Sequence, residues 1–168
     1  MRKLTGAVFV SLDGVMQAPG GPDEDPTSDF RFGGWVQPFW SEEMGPFEAV
    51  IMGEYDLLLG KRTYDIFAAY WPHNQDNPIG EKFQRVNKYV LTHSNEPLEW
   101  EHSHKLSGDT ASAIAELKHT EGRDLLIQGR RDANGGGEGI EDTADRVEIL
   151  IQRVACHWLD EHQRSIRL

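Results

Sequence analysis

The sequence is poor in four things. It holds one cysteine, Cys156, in 168 residues. That excludes an intramolecular disulfide and fits a reducing, cytoplasmic setting. No apolar run approaches the ~20 residues of a membrane-spanning helix. The opening MRKLTGAVFVSLDG carries early charge and a short apolar stretch that meets Asp13, so it reads as a first strand and not as a signal peptide. The chain is also short of cations, with 17 Lys and Arg against 28 Asp and Glu and a net charge of -11. Such a chain has no general attraction for nucleic acid or an anionic membrane, and neither is expected as a partner. An anionic ligand requires a local basic pocket. Histidine constellations are thin as well. His102 with His104, and His157 with His162, lack the cysteine or carboxylate company of a structural zinc site, so no metal is expected. Cys156 has no base beyond its neighbour His157 and reads as a small buried hydrophobe.

What is present is a globular composition. Hydrophobic residues make up 38%, and there are five tryptophans, enough for a single domain over 1–168 with a real core. Lys3 to Ser11 reads as a strand. A long loop follows, rich in glycine and proline, and loops of that length in a compact domain usually serve a function. Its Phe30, Phe32 and Trp35 suggest that it packs against something. Ser41 caps an expected helix to about Met52. Asp56 to Leu59 reads as a buried strand closed by Gly60, and Thr63 to Tyr70 as a helix. Glu81 to Val86 reads as a short helix, Lys88 to Thr92 as a strand, and Asp109 as the cap of a helix to about His119. DLLIQG is the next strand. Residues 130–146 are polar and glycine-rich, and RVEILIQRVACHWL leans toward a strand to about Val154. The alternation points to an α/β domain with a mainly parallel sheet. Ligands bind such sheets off the carboxyl ends of the strands.

Four polar or glycine-bearing strand ends are candidates there. At Gly60-Lys61-Arg62-Thr63, a strand ending in glycine meets a helix amino end with two cations and a hydroxyl. That pattern suits a phosphate, although two cations on a solvated first turn would look the same. Ser11-Leu12-Asp13-Gly14 offers a carboxylate that can orient a substrate or relay a proton, or simply an Asp-Gly turn. Thr92-His93-Ser94 offers hydroxyls and an imidazole to a second phosphate, or a strand cap. Gly129 repeats the glycine ending, followed by Arg130 and Arg131. The acidic runs PDED and GEGIED read as solvated surface.

Taken in order, FVSLDGVMQAPGGPDED, GGW, DLLLGKRTYDIFAAYWP, KYVLTHS and DLLIQG resemble a family of dihydrofolate-reductase-like proteins. These are related to the reductase domain of the bacterial bifunctional riboflavin-biosynthesis deaminase–reductase. The resemblance covers Met1 to Gly129. It implies a dihydrofolate-reductase-like three-layer sandwich with a mainly parallel central sheet. It also implies NADPH as cofactor and hydride transfer to a small heterocyclic or sugar-derived substrate. The family includes the enzyme that reduces the ribose of a phosphoribosylamino-pyrimidine. Its Gly-Arg-x-Thr-Tyr stands here as Gly60-Lys61-Arg62-Thr63-Tyr64, with Lys61 where arginine is usual, and this implies that Gly60, Lys61, Arg62 and Thr63 meet the NADPH phosphates. Thr92 and His93 match the strand end that meets the adenosine 2′-phosphate, and Gly129 matches the glycine against the pyrophosphate. Asp13 falls at the mouth where nicotinamide and substrate meet.

The chain departs from the family after Gly129, where a glycine-rich polar run stands in place of an apolar helix. No Leu-Gly-x-Gly-Lys turn follows, so residues 129–168 are atypical and the last strands of the sheet are expected to be incomplete. Three readings follow from the sequence. The first is an NADPH-dependent reductase. The second is a non-catalytic relative that binds a nucleotide or a partner without turnover. The third is a homodimer that masks an unfinished sheet edge.

Overall fold

Three consecutive leucines set the centre of the fold. Leu57, Leu58 and Leu59 are all fully buried. Successive strand residues point to opposite faces, so a strand with all three buried must be covered on both sides. Each such leucine contributes roughly 1.5–3 kcal/mol of burial. The computed structural model describes residues 1–41, 44–128 and 147–154. The leucines lie in β2 (Tyr55–Gly60). The other elements, in chain order, are β1 (Leu4–Ser11), α1 (Gly45–Ile51), α2 (Lys61–Tyr70), α3 (Pro78–Arg85), β3 (Lys88–Leu91), β4 (Ser103–Leu106), α4 (Thr110–His119), β5 (Asp124–Gln128) and β6 (Val147–Val154).

The six strands form one sheet in the order β4-β3-β2-β5-β1-β6. Every pairing is parallel. One face carries Ala7, Leu57, Leu59, Val90 and Leu126, packed by Phe47 and Ile51 of α1, Tyr64 of α2 and Phe83 of α3. The other carries Leu4, Leu58 and Leu125 under Ile114 and Leu117 of α4. The result is a three-layer α/β sandwich with a parallel central sheet; the strand and helix alternation indicates the parallel α/β sheet, and the family resemblance implies the three layers.

Three helices start elsewhere than expected, and one strand is unexpected. α2 begins at Lys61, not Thr63, because Gly60 at φ -72, ψ 155 already serves as its cap residue. α1 begins at Gly45 with Met44 as cap, not at Ser41. α3 starts three residues early, because Asn77 accepts a bond from the Gly80 amide at 2.9 Å and Pro78 suits a first turn. The polar stretch around His104 is strand β4, an edge strand whose two middle residues are exposed, so it shows no apolar alternation. β6 pairs with all of β1, Leu4 with Val147 through Ser11 with Val154.

Candidate functional site

Parallel pairing puts the carboxyl ends of the strands on one edge, and the register fixes their heights. Gly60 lies opposite Leu91, and Leu59 opposite Gln128. Thr92 and His93 therefore follow at nearly the level where Lys61 to Thr63 begin. Gln128 is also level with Ala7 of β1. β1 continues four residues further, and at about 3.3 Å each its end stands roughly 13 Å above that level. Asp13 lies two residues past that end. Gly129 lies outside the described residues, as do Arg130, Arg131, Cys156, His157, His162 and the run GEGIED.

The first turn of α2 has what a phosphate requires from a backbone. Its cap residue Gly60 makes no side-chain cap bond, and the first turn of a helix carries amide groups without intrahelical partners and the positive end of the dipole. The half-buried Thr63 hydroxyl has no protein partner among the described residues. A Cβ built on Gly60 would meet nothing within 4 Å, so this glycine is needed neither for its φ nor for internal packing. It leaves open space in front of the strand end.

The two cations are already engaged. The Lys61 Nζ donates to both oxygens of Asp65 at 2.7 and 2.8 Å, with Glu96 at 3.6 Å. The Asp65 hydrogen bond, with the charges of Asp65 and Glu96, holds Lys61 above the usual lysine range. A groove of about 390 Å³ opens beside it, lined by Lys61, Tyr64, Asp65, Ala68, Glu96 and Glu99, with three carboxylates to one cation. Arg62 turns the other way. Its Nη2 donates to Asp25 Oδ1 at 2.5 Å and to Thr27 Oγ1 at 2.6 Å. The site therefore fits a phosphate in its backbone and its open space, while the two cations reach one only by leaving or sharing carboxylate partners.

Asp13 is exposed and sits in a closed turn. The Gly14 amide donates to the Ser11 carbonyl at 3.1 Å, Gly14 adopts φ +87, and the Ser11 hydroxyl donates to the Asp13 carboxylate. At the other strand end, the Thr92 hydroxyl oxygen accepts from the Ser94 amide at 3.0 Å, and His93 is exposed. Both turn geometries named in the sequence are present, with Asp13 and His93 exposed. Tyr64 serves the architecture. Its buried hydroxyl accepts from the Trp100 amide at 3.0 Å and anchors the segment after β3 to α2.

Sequence reasoning missed Asp25. The run PDED reads as solvated surface, yet Asp25 is buried because Arg62, Thr27 and the loop close around it. Its neighbour Glu24 accepts from the amides of Gly20 and Gly21 at 2.6 and 3.2 Å, and desolvation raises its pKa. The available signal was the Asp25-Pro26-Thr27 spacing, an Asp placed to bond the backbone two residues on.

No known protein family matches the chain by sequence, and no curated protein does. Among solved structures, one match is a candidate riboflavin biosynthesis protein from Shewanella sp. PV-4, at 20% identity and TM-score 0.46, covering 77% of this chain and 65% of that one. Another is a dihydrofolate reductase from Enterococcus faecalis complexed with NADP(H) and RAB-propyl, at 15% identity and TM-score 0.40, covering 76% of this chain and 59% of that one. The chain thus spans less than two thirds of the length of either. Among the described residues no cluster of His, Cys, Asp and Glu is arranged to hold a metal, and no helix is long and apolar enough to cross a membrane.

Proposed function

We propose that the chain is an NADPH-dependent reductase of the dihydrofolate-reductase-like kind, related to the riboflavin-biosynthesis reductases. It passes hydride to a small heterocyclic or sugar-derived substrate in the cytoplasm. The observation that carries this reading is the uncapped first turn of α2, set above open space at Gly60 and beside the carboxyl ends of β3 and β5. The nicotinamide, when bound, supplies the hydride. The protein's own part is to hold and orient. The amides of Lys61 to Thr63 and the Thr63 hydroxyl seat the dinucleotide phosphates, Thr92 and His93 meet the 2′-phosphate, and Gly129 lets the pyrophosphate approach. Asp13, two residues past the end of the longer β1, orients the substrate or delivers a proton to it.

Titration with NADPH, followed by the fluorescence of the five tryptophans, tests the reading. Quenching or a spectral shift at sub-millimolar cofactor is expected, and no change at millimolar cofactor would count it out. A second reading, a non-catalytic nucleotide-binding relative, is favoured by one observation, that Lys61 and Arg62 are both paired with carboxylates. NADPH oxidation in the presence of pterins, flavins and pyrimidine ribosides separates the two. Turnover with any of them supports the reductase, and binding with no turnover supports the relative.

A further inference from the structure

We infer that Asp25 is a built-in competitor for the phosphate seat at Arg62, so that cofactor binding and the packing of the loop between β1 and α1 oppose each other. The inference rests on the phosphate role proposed above for the first turn of α2. Its physical basis is that one guanidinium faces two claims. Arg62 stands at the second position of α2, in the turn whose amides would hold a phosphate. It also donates to Asp25 at 2.5 Å and to Thr27 at 2.6 Å.

Asp25 is 7% exposed, so its charge cannot fall back on water. A buried carboxylate that loses a cation partner is destabilised. Arg62 is therefore part of what lets Asp25 stay inside. The loop around it is built on that carboxylate. The Thr27 amide donates to Asp25 Oδ1 at 3.2 Å, and the Thr27 hydroxyl donates to the same oxygen. Gln17 Nε2 donates to the carbonyls of Asp25 and Thr27 at 3.0 and 2.9 Å. Directly after the clamp, Ser28 and Asp29 adopt φ +59 and +55. That conformation is uncommon for a non-glycine residue, and two in succession mark a locally constrained backbone.

A phosphate that draws Arg62 toward the first-turn amides weakens the pair that holds this arrangement. By linkage, the closed loop weakens phosphate binding by the same factor. Lys61 reinforces the opposition, because its Asp65 and Glu96 partners leave it little uncompensated charge. Asp25 thus sets the affinity of the edge without touching the ligand.

The test compares the wild-type chain with Asp25→Asn, which keeps the shape of the side chain and removes its charge. NADPH and inorganic pyrophosphate are the two probes, with binding read by tryptophan fluorescence or calorimetry. Loop state is read from the rate of trypsin cleavage at Arg31. Asp25→Asn is expected to bind pyrophosphate and NADPH about tenfold more tightly and to be cut faster at Arg31 without ligand. In the wild type, adding either ligand should speed that cut. Tighter pyrophosphate binding by the variant with no NADPH binding to either protein would uphold the competition while sinking the reductase reading. Equal or weaker binding of both probes by the variant, no binding of either probe to either protein, or ligand protection of Arg31 in the wild type, overturns the inference.

Discussion

At the residue scale, two buried cations hold positions that no apolar pattern marks. Lys88 is fully buried. Its ammonium donates to the carbonyls of Gln84 and Glu101 at 3.2 and 2.9 Å and lies 4.3 Å from the centre of the Trp100 ring. Desolvation lowers its pKa to about 8, against an opposing pull from the Glu101 charge. The sign follows from proton counts. Below about pH 8 both folded and unfolded chains carry this proton, and the folded state bears the full cost of burying the charge. Between about 8 and the ordinary lysine value near 10.5, the folded chain has released the proton and the unfolded chain keeps it, so stability rises with pH. The gain is at most about 3 kcal/mol. Urea unfolding at pH 7 and pH 9.5 should show the rise in the wild type and a smaller one in Lys88→Met. Equal pH slopes in the two proteins would mean that Lys88 does not titrate in that window.

Arg2 and Asp56 make the second case, a buried pair at 2.5 Å in which Asp56 also accepts from the amide and side chain of Asn87 at 3.2 Å. Arg2→Leu strands that carboxylate and should cost roughly 3–5 kcal/mol in urea unfolding. A loss under about 1 kcal/mol would mean that the pair behaves as a surface one. Neither pair member is visible in sequence. Arg2 reads as early charge and Asp56 as the polar start of an apolar run, because the sequence separation of 54 between them closes only in the folded sheet.

At the element scale, strands with apolar runs and helices with polar caps were legible, and their first residues less so. Asp109 declares α4 because its side chain accepts from the Ser112 amide at 2.8 Å, and the expected helix to about His119 is the observed one. α3 is obscured because Asn77-Pro78 also spells a loop. Two substitutions test what starts it. Asn77→Ala removes the cap and should cost about 1 kcal/mol. Gly80→Ala should cost more, because a Cβ there would lie 2.1 Å from the Asn74 carbonyl oxygen, so backbone must move. If thermal melting ranks the two the other way, the turn at 74–77 is softer than its packing indicates. The same logic explains β4. An edge strand with polar residues outward has no alternation to read, and pairing with β3 alone defines it.

At the scale of the whole molecule, the sequence indicates the layers but not the neighbours. A run of three buried leucines implies a covered parallel strand, whereas nothing local says that β5 lies between β2 and β1, or that β6 closes the far side. The candidate site shares that limit. Strand ends are legible one at a time, while the partners that neutralise their cations, Asp25 above all, arrive from distant segments. β6 offers the sharpest test of the global arrangement. β5 pairs with β1 only from Leu4 to Ala7, whereas β6 pairs with it from Leu4 to Ser11. Among the described residues, Val8 to Ser11, the stretch that carries β1 past the other strand ends, has β6 alone as its strand partner. A chain ending at Gln128 would leave β1 as an open edge strand with unpaired backbone groups next to the candidate site. Such a chain is expected to lose its cooperative urea transition, or to self-associate as its concentration rises in sedimentation. A monomeric 1–128 with an unchanged transition midpoint would show that β1 holds its course without β6, and its reach past the other strand ends would then need another cause.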